Sequence, residues 1–323
     1  HRAGSMTADI EHLADAGLVY RHTLTGTEHY AFKHALVRDC AYQSLIRDER
    51  ERMHAQVANA LSTAQDAASA PAELIARHFN HAGDAQSALP YWMLAAERAQ
   101  TRGTFTEALT HFSAASASLE VDEAITERSL RVALGQATCL HYLGRRAEAL
   151  ETLEPLQTNL EHIENRHLVG HFHVSLARVQ AFQGQRDASM VSVSKAIEVA
   201  HSCGDRVTEG NAYAWLGRDR MYTASYEESQ NFFGHAVELL QTAGPSWDLG
   251  DLYFRMGMNA AVHCDVNLLQ TVARELHEIA NALDDPRLRS NALLIEGILM
   301  RYQDDVPTGE LLCRRAEEGD QRE

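Results

Sequence analysis

Long apolar runs are missing from this chain. No stretch of eighteen apolar residues occurs and no signal peptide is visible, so the sequence reads as soluble and cytosolic. Positive charge is also short, with 29 Lys and Arg against 45 Asp and Glu, a net charge of -16. That balance argues against a nucleic-acid surface as the main function, because phosphate binding needs concentrated Lys and Arg, and leaves room for a local basic patch. Only six prolines occur in 323 residues, which fits a helix-rich protein. The five cysteines, Cys40, Cys139, Cys203, Cys264 and Cys313, are scattered, and none forms a C-x-x-C pair. They read as reduced thiols. No G-x-x-x-x-G-K-[ST] phosphate loop is present, and no catalytic triad or carboxylate pair has local support.

What is present is a repeat. In Asn211 to Ala236, Tyr213, Leu216, Gly217 and Arg220 share one helical face at spacings of three and four. A turn follows at Thr223–Ser225, and Tyr226, Phe233 and Ala236 mark the packing face of a second helix. This is the tetratricopeptide (TPR) pattern. Gly217 lets the second helix approach closely, so Gly217→Leu is expected to overpack, while an alanine there is expected to be nearly neutral.

The pattern returns every 40 residues. Small residues stand at Ala137, Ala177, Gly217, Gly257 and Gly297. Seven positions later come the turn residues Gly144, Gly184, Ala224, Cys264 and Asp304. An intervening row is Tyr142, Phe182, Tyr222, Val262 and Tyr302, and Leu156, Ala196, Ala236 and Leu276 repeat in the second helices. Columns held over four or five copies predict an all-α, TPR-like right-handed superhelix of helical hairpins. Each unit is about six residues longer than the usual 34, which is read as longer helices. The predicted pairs are 125–143 with 146–160, 166–183 with 186–202, 208–223 with 226–243, 248–263 with 266–283, and 286–303 with 307–318.

The N-terminal part is different. Residues 1–5, HRAGS, look like a vector remnant before Met6 and are set aside. A short helix carrying Ile10, Leu13 and Ala14 stops at Gly17. Leu18–Thr23 and Glu28–Lys33 alternate apolar and polar around a turn at Leu24–Thr27, a β-hairpin signal. One long helical region is then predicted from His34 through Leu61, with Leu36, Val37, Ala41, Leu45, Met53, Val57 and Leu61 as its apolar stripe. Helix, hairpin, helix is half of a winged-helix domain, and 6–64 is read as that partial element. Gln65–Pro71 is the linker candidate. Helices are expected at Ala72–His81, Ala85–Arg102 and Thr104–Leu119, and 72–323 is assigned to the repeats. The last hairpin ends without a polar capping helix, so a longer protein is expected around this piece.

Two segments carry a family resemblance. Tyr30–Leu61, YAFKHALVRDCAYQSLIRDERERMHAQVANAL, resembles the region joining ATPase module to repeats in bacterial STAND/AAA-type signal-transduction ATPases. Ala72–Phe112 looks like the first repeats of the same family. Many such proteins carry an N-terminal class III nucleotide cyclase, then the ATPase, then helical repeats. The resemblance implies a regulatory arm without its engine, neither an enzyme nor dependent on a cofactor. Its implied partners are the upstream ATPase or cyclase domains and a protein, peptide or small effector. A free-standing TPR adaptor that scaffolds a complex is the alternative.

In a TPR superhelix the first helices of the hairpins line the groove. The register then makes Arg131, His171, Asn211, Asp251 and Asn291 one column there. Arg178 and Arg218 form a second with Thr138 and Met258. Two aligned arginines are expected to clamp a carboxylate or phosphate bidentately. The competing reading is solvated helix faces with local ion pairs. The row from Tyr142 to Tyr302 is expected to be inter-repeat packing. His167 and His171 stand four apart, but His173 is rotated about 200° away and no further ligand can be placed, so no metal site is assigned. Arg21, His22, His29, Lys33, His34 and Arg38 give the hairpin local positive charge. No complete recognition helix accompanies it, so packing is preferred over DNA binding.

Overall fold

The computed structural model describes residues 2–24, 27–63, 71–119, 125–223 and 225–320. The chain divides into two compact units, one of 1–98 with 117–119, the other of 99–116 with 120–323. Its fold class is all-α, a TPR-like superhelix of helical hairpins with one small sheet. No helix among the described residues is long and apolar enough to cross a membrane.

The first unit opens with α1 (Arg2–Asp15), so most of the segment set aside as a remnant is helical. Gly17, at φ 71°, ends it, and the Leu18 amide closes back on the Leu13 carbonyl at 3.0 Å. Strands β1 (Val19–Leu24) and β2 (Thr27–Phe32) pair antiparallel, Val19 opposite Phe32 and Leu24 opposite Thr27. Of the predicted turn, Thr25 and Gly26 lie outside the described residues, as do 65–70 of the linker.

The single long helix predicted from His34 is instead two, α2 (Ala35–Ser44) and α3 (Arg47–Thr63). Leu45 turns extended, at ψ 140°, where the Ser44 hydroxyl donates to the Ala41 carbonyl at 2.7 Å. Asp48 and Glu49 then favour a fresh N-terminus through the helix dipole. The apolar stripe is also corrected. Nothing in α2 is buried, and Leu36 is 78% exposed, whereas Ala58 of α3 is fully buried. Helices α4 (Ala72–His81) and α5 (Ala85–Thr101) follow close to prediction. Ile75, Phe79, Leu89 and Trp92 supply apolar burial, each worth about 1.5–3 kcal/mol.

In the second unit α6 (Phe105–Ala117) precedes five hairpins. These are α7 (Glu127–Tyr142) with α8 (Arg146–Leu153), α9 (Arg166–Phe182) with α10 (Arg186–Cys203), and α11 (Arg206–Tyr222) with α12 (Tyr226–Leu240). The last two are α13 (Trp247–Val262) with α14 (Val266–Leu283) and α15 (Pro286–Tyr302) with α16 (Val306–Asp320). Bounds agree with the predicted pairs within a few residues, apart from α8. Pro155 opens a 3-10 segment over Glu154–Asn159 that shortens it. No strand occurs beyond Ile125 among the described residues.

The 40-residue register has local causes. Asn165, Asp205 and Asp285 each accept the amide three residues on, capping α9, α11 and α15. At the hairpin turns Gly144 and Gly184 take φ 75° and 77°, and Cys264 and Asp304 adopt the same left-handed turn at 56° and 65°. Ala224 lies outside the described residues. The small column marks where paired helices touch. The Ser189 hydroxyl donates to the Ala177 carbonyl, and Ser229, 40 residues on, donates to Gly217, both at 2.8 Å. A methyl built on Gly217 would stand 2.4 Å from the fully buried Phe233 ring. Alanine is therefore not neutral there, contrary to expectation. Helix propensity gains about 1 kcal/mol, but the methyl would drive into a fully buried ring.

Candidate functional site

Successive first helices leave a cavity of about 340 Å3 in the second unit. Its lining comes only from α7, α9, α11 and α13. Helix α7 contributes His141 and Tyr142 at its end, and α9 contributes His171, Ser175, Arg178 and Phe182. Helix α11 supplies Asn211 and Trp215, and α13 supplies Trp247, Asp248, Asp251 and Arg255. The register decides this assembly. Residues 171, 211 and 251 form one row, 175, 215 and 255 another, and 142 with 182 a third. Since i and i+4 lie on one helix face, the first two rows run side by side.

Of the predicted residues, His171, Asn211, Asp251 and Arg178 come together here. Arg131 is exposed on α7 and Asn291 is half-buried on α15, and neither lines the cavity. Arg178 and Arg218 do not clamp one cavity. Arg218 lines a neighbouring hollow of about 370 Å3 with Arg186, Asp219 and Tyr222, while Trp215 borders both. The physical reason is the ring wall between them. The Arg218 guanidinium lies 4.4 Å from the Phe182 ring centre and 4.9 Å from that of Trp215, which holds it by cation–π attraction.

Those stacks extend further. Arg146 covers Phe182 at 4.9 Å, and Arg255 covers Trp215 at 4.8 Å. Arginine and aromatic planes thus alternate from α8 to α13. Arg255 also pairs with Asp251 at 2.6 Å. Among the described residues no carboxylate stands within ion-pair distance of Arg146, Arg178 or Arg218. Arg178 reaches only the Thr138 hydroxyl, at 3.5 Å, and its buried Nε has no acceptor. Burial accordingly lowers the Arg178 pKa, although it stays charged.

The histidines record the same environment. Burial, reinforced by Arg178, Arg146, Arg255 and Arg218, pushes His141 down to about 4, so it is neutral, with a buried Nδ1 that has no partner. His171 is open to solvent, yet protein surrounds its ring within the hollow. That desolvation, with Arg178 beside it, holds its pKa below the ordinary value. At the other side Asp248 accepts from the Asn211 amide at 3.1 Å, and the buried Trp247 Nε1 is unpartnered. His167 is held by Asp205 at 3.0 Å, and His173 is buried. No group of three ligand atoms gathers around that pair among the described residues.

Sequence reasoning missed His141, Trp215, Trp247, Asp248 and Arg255. It also assigned Tyr142 and Phe182 to packing alone, and they do pack: Tyr142 stacks on Phe105 at 4.4 Å. They are cavity walls as well. Following the spacing from Ser175 to 215 and 255 would have found two of the missed residues.

No protein-family model matches this chain, and no curated protein matches it in sequence. Solved structures do match in fold. A Rap protein complexed with competence and sporulation factor aligns at TM-score 0.58 and 11% identity, over 85% of this chain and 93% of that one. The apo form of RapI aligns at 0.52 and 11%, over 72% and 97%. A STAND protein with a tetratricopeptide repeat sensor from Pyrococcus horikoshii aligns at 0.49 and 15% identity, over 94% of this chain. This chain spans 54% of that protein's length.

Proposed function

We propose that this chain is the ligand-sensing arm of a bacterial signalling ATPase or nucleotide cyclase. Its first-helix cavity would take a small effector, or a side chain of a peptide or protein partner. The observation carrying this reading is the cavity itself: His141, Arg178 and Trp247, each with a buried nitrogen that has no protein partner, stand among the residues lining one hollow of about 340 Å3. Buried polar groups are almost always paired, and a cavity of this size is at the lower end of ligand sites, about 300–1,000 Å3. Residues 72–323 act as the repeat array in this reading, and 6–64 as a partial winged-helix spacer toward an upstream module. The Rap neighbour complexed with competence and sporulation factor supports the idea that such a stack holds a second molecule.

The arm would work by population shift. A ligand that bridges α7, α9, α11 and α13 favours whichever arrangement of these helices it fits, and so biases any module attached to them. No nucleotide turnover is expected from the chain itself. The test is a thermal-shift screen of this chain against small metabolites and short peptides, repeated on Val207→Arg, which plugs the cavity from its wall. Hits that stabilise the wild type and are lost in the plugged variant support the reading. A screen whose hits all survive the plug contradicts it.

A further inference from the structure

The cavity carries charge of both signs, and only part of it is spent internally. Asp251 is neutralised by Arg255 at 2.6 Å. That leaves Arg178, with its unpartnered Nε and one long contact to Thr138. It also leaves Asp248, which is solvent-accessible and accepts from Asn211 through only one oxygen. Arg178 has Asp248 on one side and Arg255, itself paired with Asp251, on the other. The neutral His141 ring lines the same hollow.

A simple anion would satisfy Arg178 but meet Asp248. A simple cation would satisfy Asp248 but meet Arg178, which no carboxylate neutralises. A molecule carrying a carboxylate and an ammonium answers both ends, and a bidentate carboxylate matches the planar guanidinium. Tyr142, Phe182, Trp215 and Trp247 wall the space between, so its third group should be a flat ring, which packs edge-to-face or offset on such walls. We propose that this cavity binds a free aromatic α-amino acid as its zwitterion, the carboxylate on Arg178 and the ammonium on Asp248. This rests on the sensing reading above and assigns the chemical class of its effector.

Isothermal titration of the full chain with L-phenylalanine, L-tyrosine and L-tryptophan tests it, each beside its N-acetyl and its carboxamide form. At least one free amino acid should bind, and capping either end should weaken it tenfold or more. Arg178→Gln should cost the free amino acid tenfold while leaving the carboxamide unchanged, and Asp248→Asn should do the same for the N-acetyl pair. If a variant fails to fold, the capped ligands decide alone. No binding by any of the three, or equal binding of a capped form, overturns the inference. The sensing reading survives that result if the screen yields another compound that the Val207→Arg plug excludes, and falls only if every hit ignores the plug.

Discussion

Arg178 and Arg218 stand 40 residues apart, at equivalent positions of α9 and α11, and meet different fates. Arg218 is clasped by Phe182, Trp215 and Tyr222, at 4.4, 4.9 and 5.3 Å from the ring centres, in a hollow where Arg186 already neutralises Asp219. Arg178 lies behind the same wall, with a buried Nε lacking any acceptor. A repeat therefore fixes where a backbone position falls, while the neighbours it meets in its own copy decide its role. Of the two, Arg218 is taken up by its ring stacks, and Arg178 is the one proposed to receive a ligand.

Acid separates the two hollows most strongly. His141 keeps a folded pKa of about 4 against 6.5 when unfolded, so the unfolded chain takes up a proton first as pH falls. Stability should be full above 6.5 and drop by up to about 3 kcal/mol between 6.5 and 4 from this group. The buried His173, also near 4, adds a similar fall. The hydrogen bonds from Arg186 depress Asp219 below its ordinary 3.8. Its contribution is complete above that value and lost only as pH falls below it. Urea midpoints at pH 7 and 4.5 should show a smaller difference for His141→Gln than for wild type, and an unchanged one for Asp219→Asn.

Helix α11 serves both hollows, so overpacking it should damage both. Gly217→Leu should cost about 2–3 kcal/mol and Gly217→Ala about 1, because either drives into Phe233. An alanine variant melting with the wild type would mean that the Phe233 ring can move aside. Smaller again, Arg218→Met should lose about 1–2 kcal/mol by forfeiting its stacks on Phe182 and Trp215.

The helices were legible because their period, caps and turn glycines are local. The columns through Ala177, Gly217 and Gly257 needed only counting. The break at Leu45 was not legible, since neither proline nor glycine marks it and a serine hydroxyl competing for one carbonyl leaves no pattern. The site was half legible. His171, Asn211, Asp251 and Arg178 followed from the register. Trp215 and Arg255 obey the same spacing from Ser175, but serine, tryptophan and arginine share no chemistry, so the row is invisible to a search for repeated residue types. The separation of Arg178 from Arg218 depends on two rings meeting between them, a tertiary fact that spacing does not contain.

The melting temperatures of Arg178→Met and Arg218→Met, without any ligand, test that division of roles most directly. Removing a desolvated cation that has no carboxylate partner relieves a cost of about 1 kcal/mol or more, and sites kept for binding commonly give up stability in this way. Arg178→Met should therefore melt at or above the wild type. Arg218→Met should melt lower, by about 2–4 °C per kcal/mol in a domain of this size. If Arg178→Met melts well below the wild type while Arg218→Met matches it, Arg178 is part of the scaffold and the cavity around it is not a site held open for a ligand.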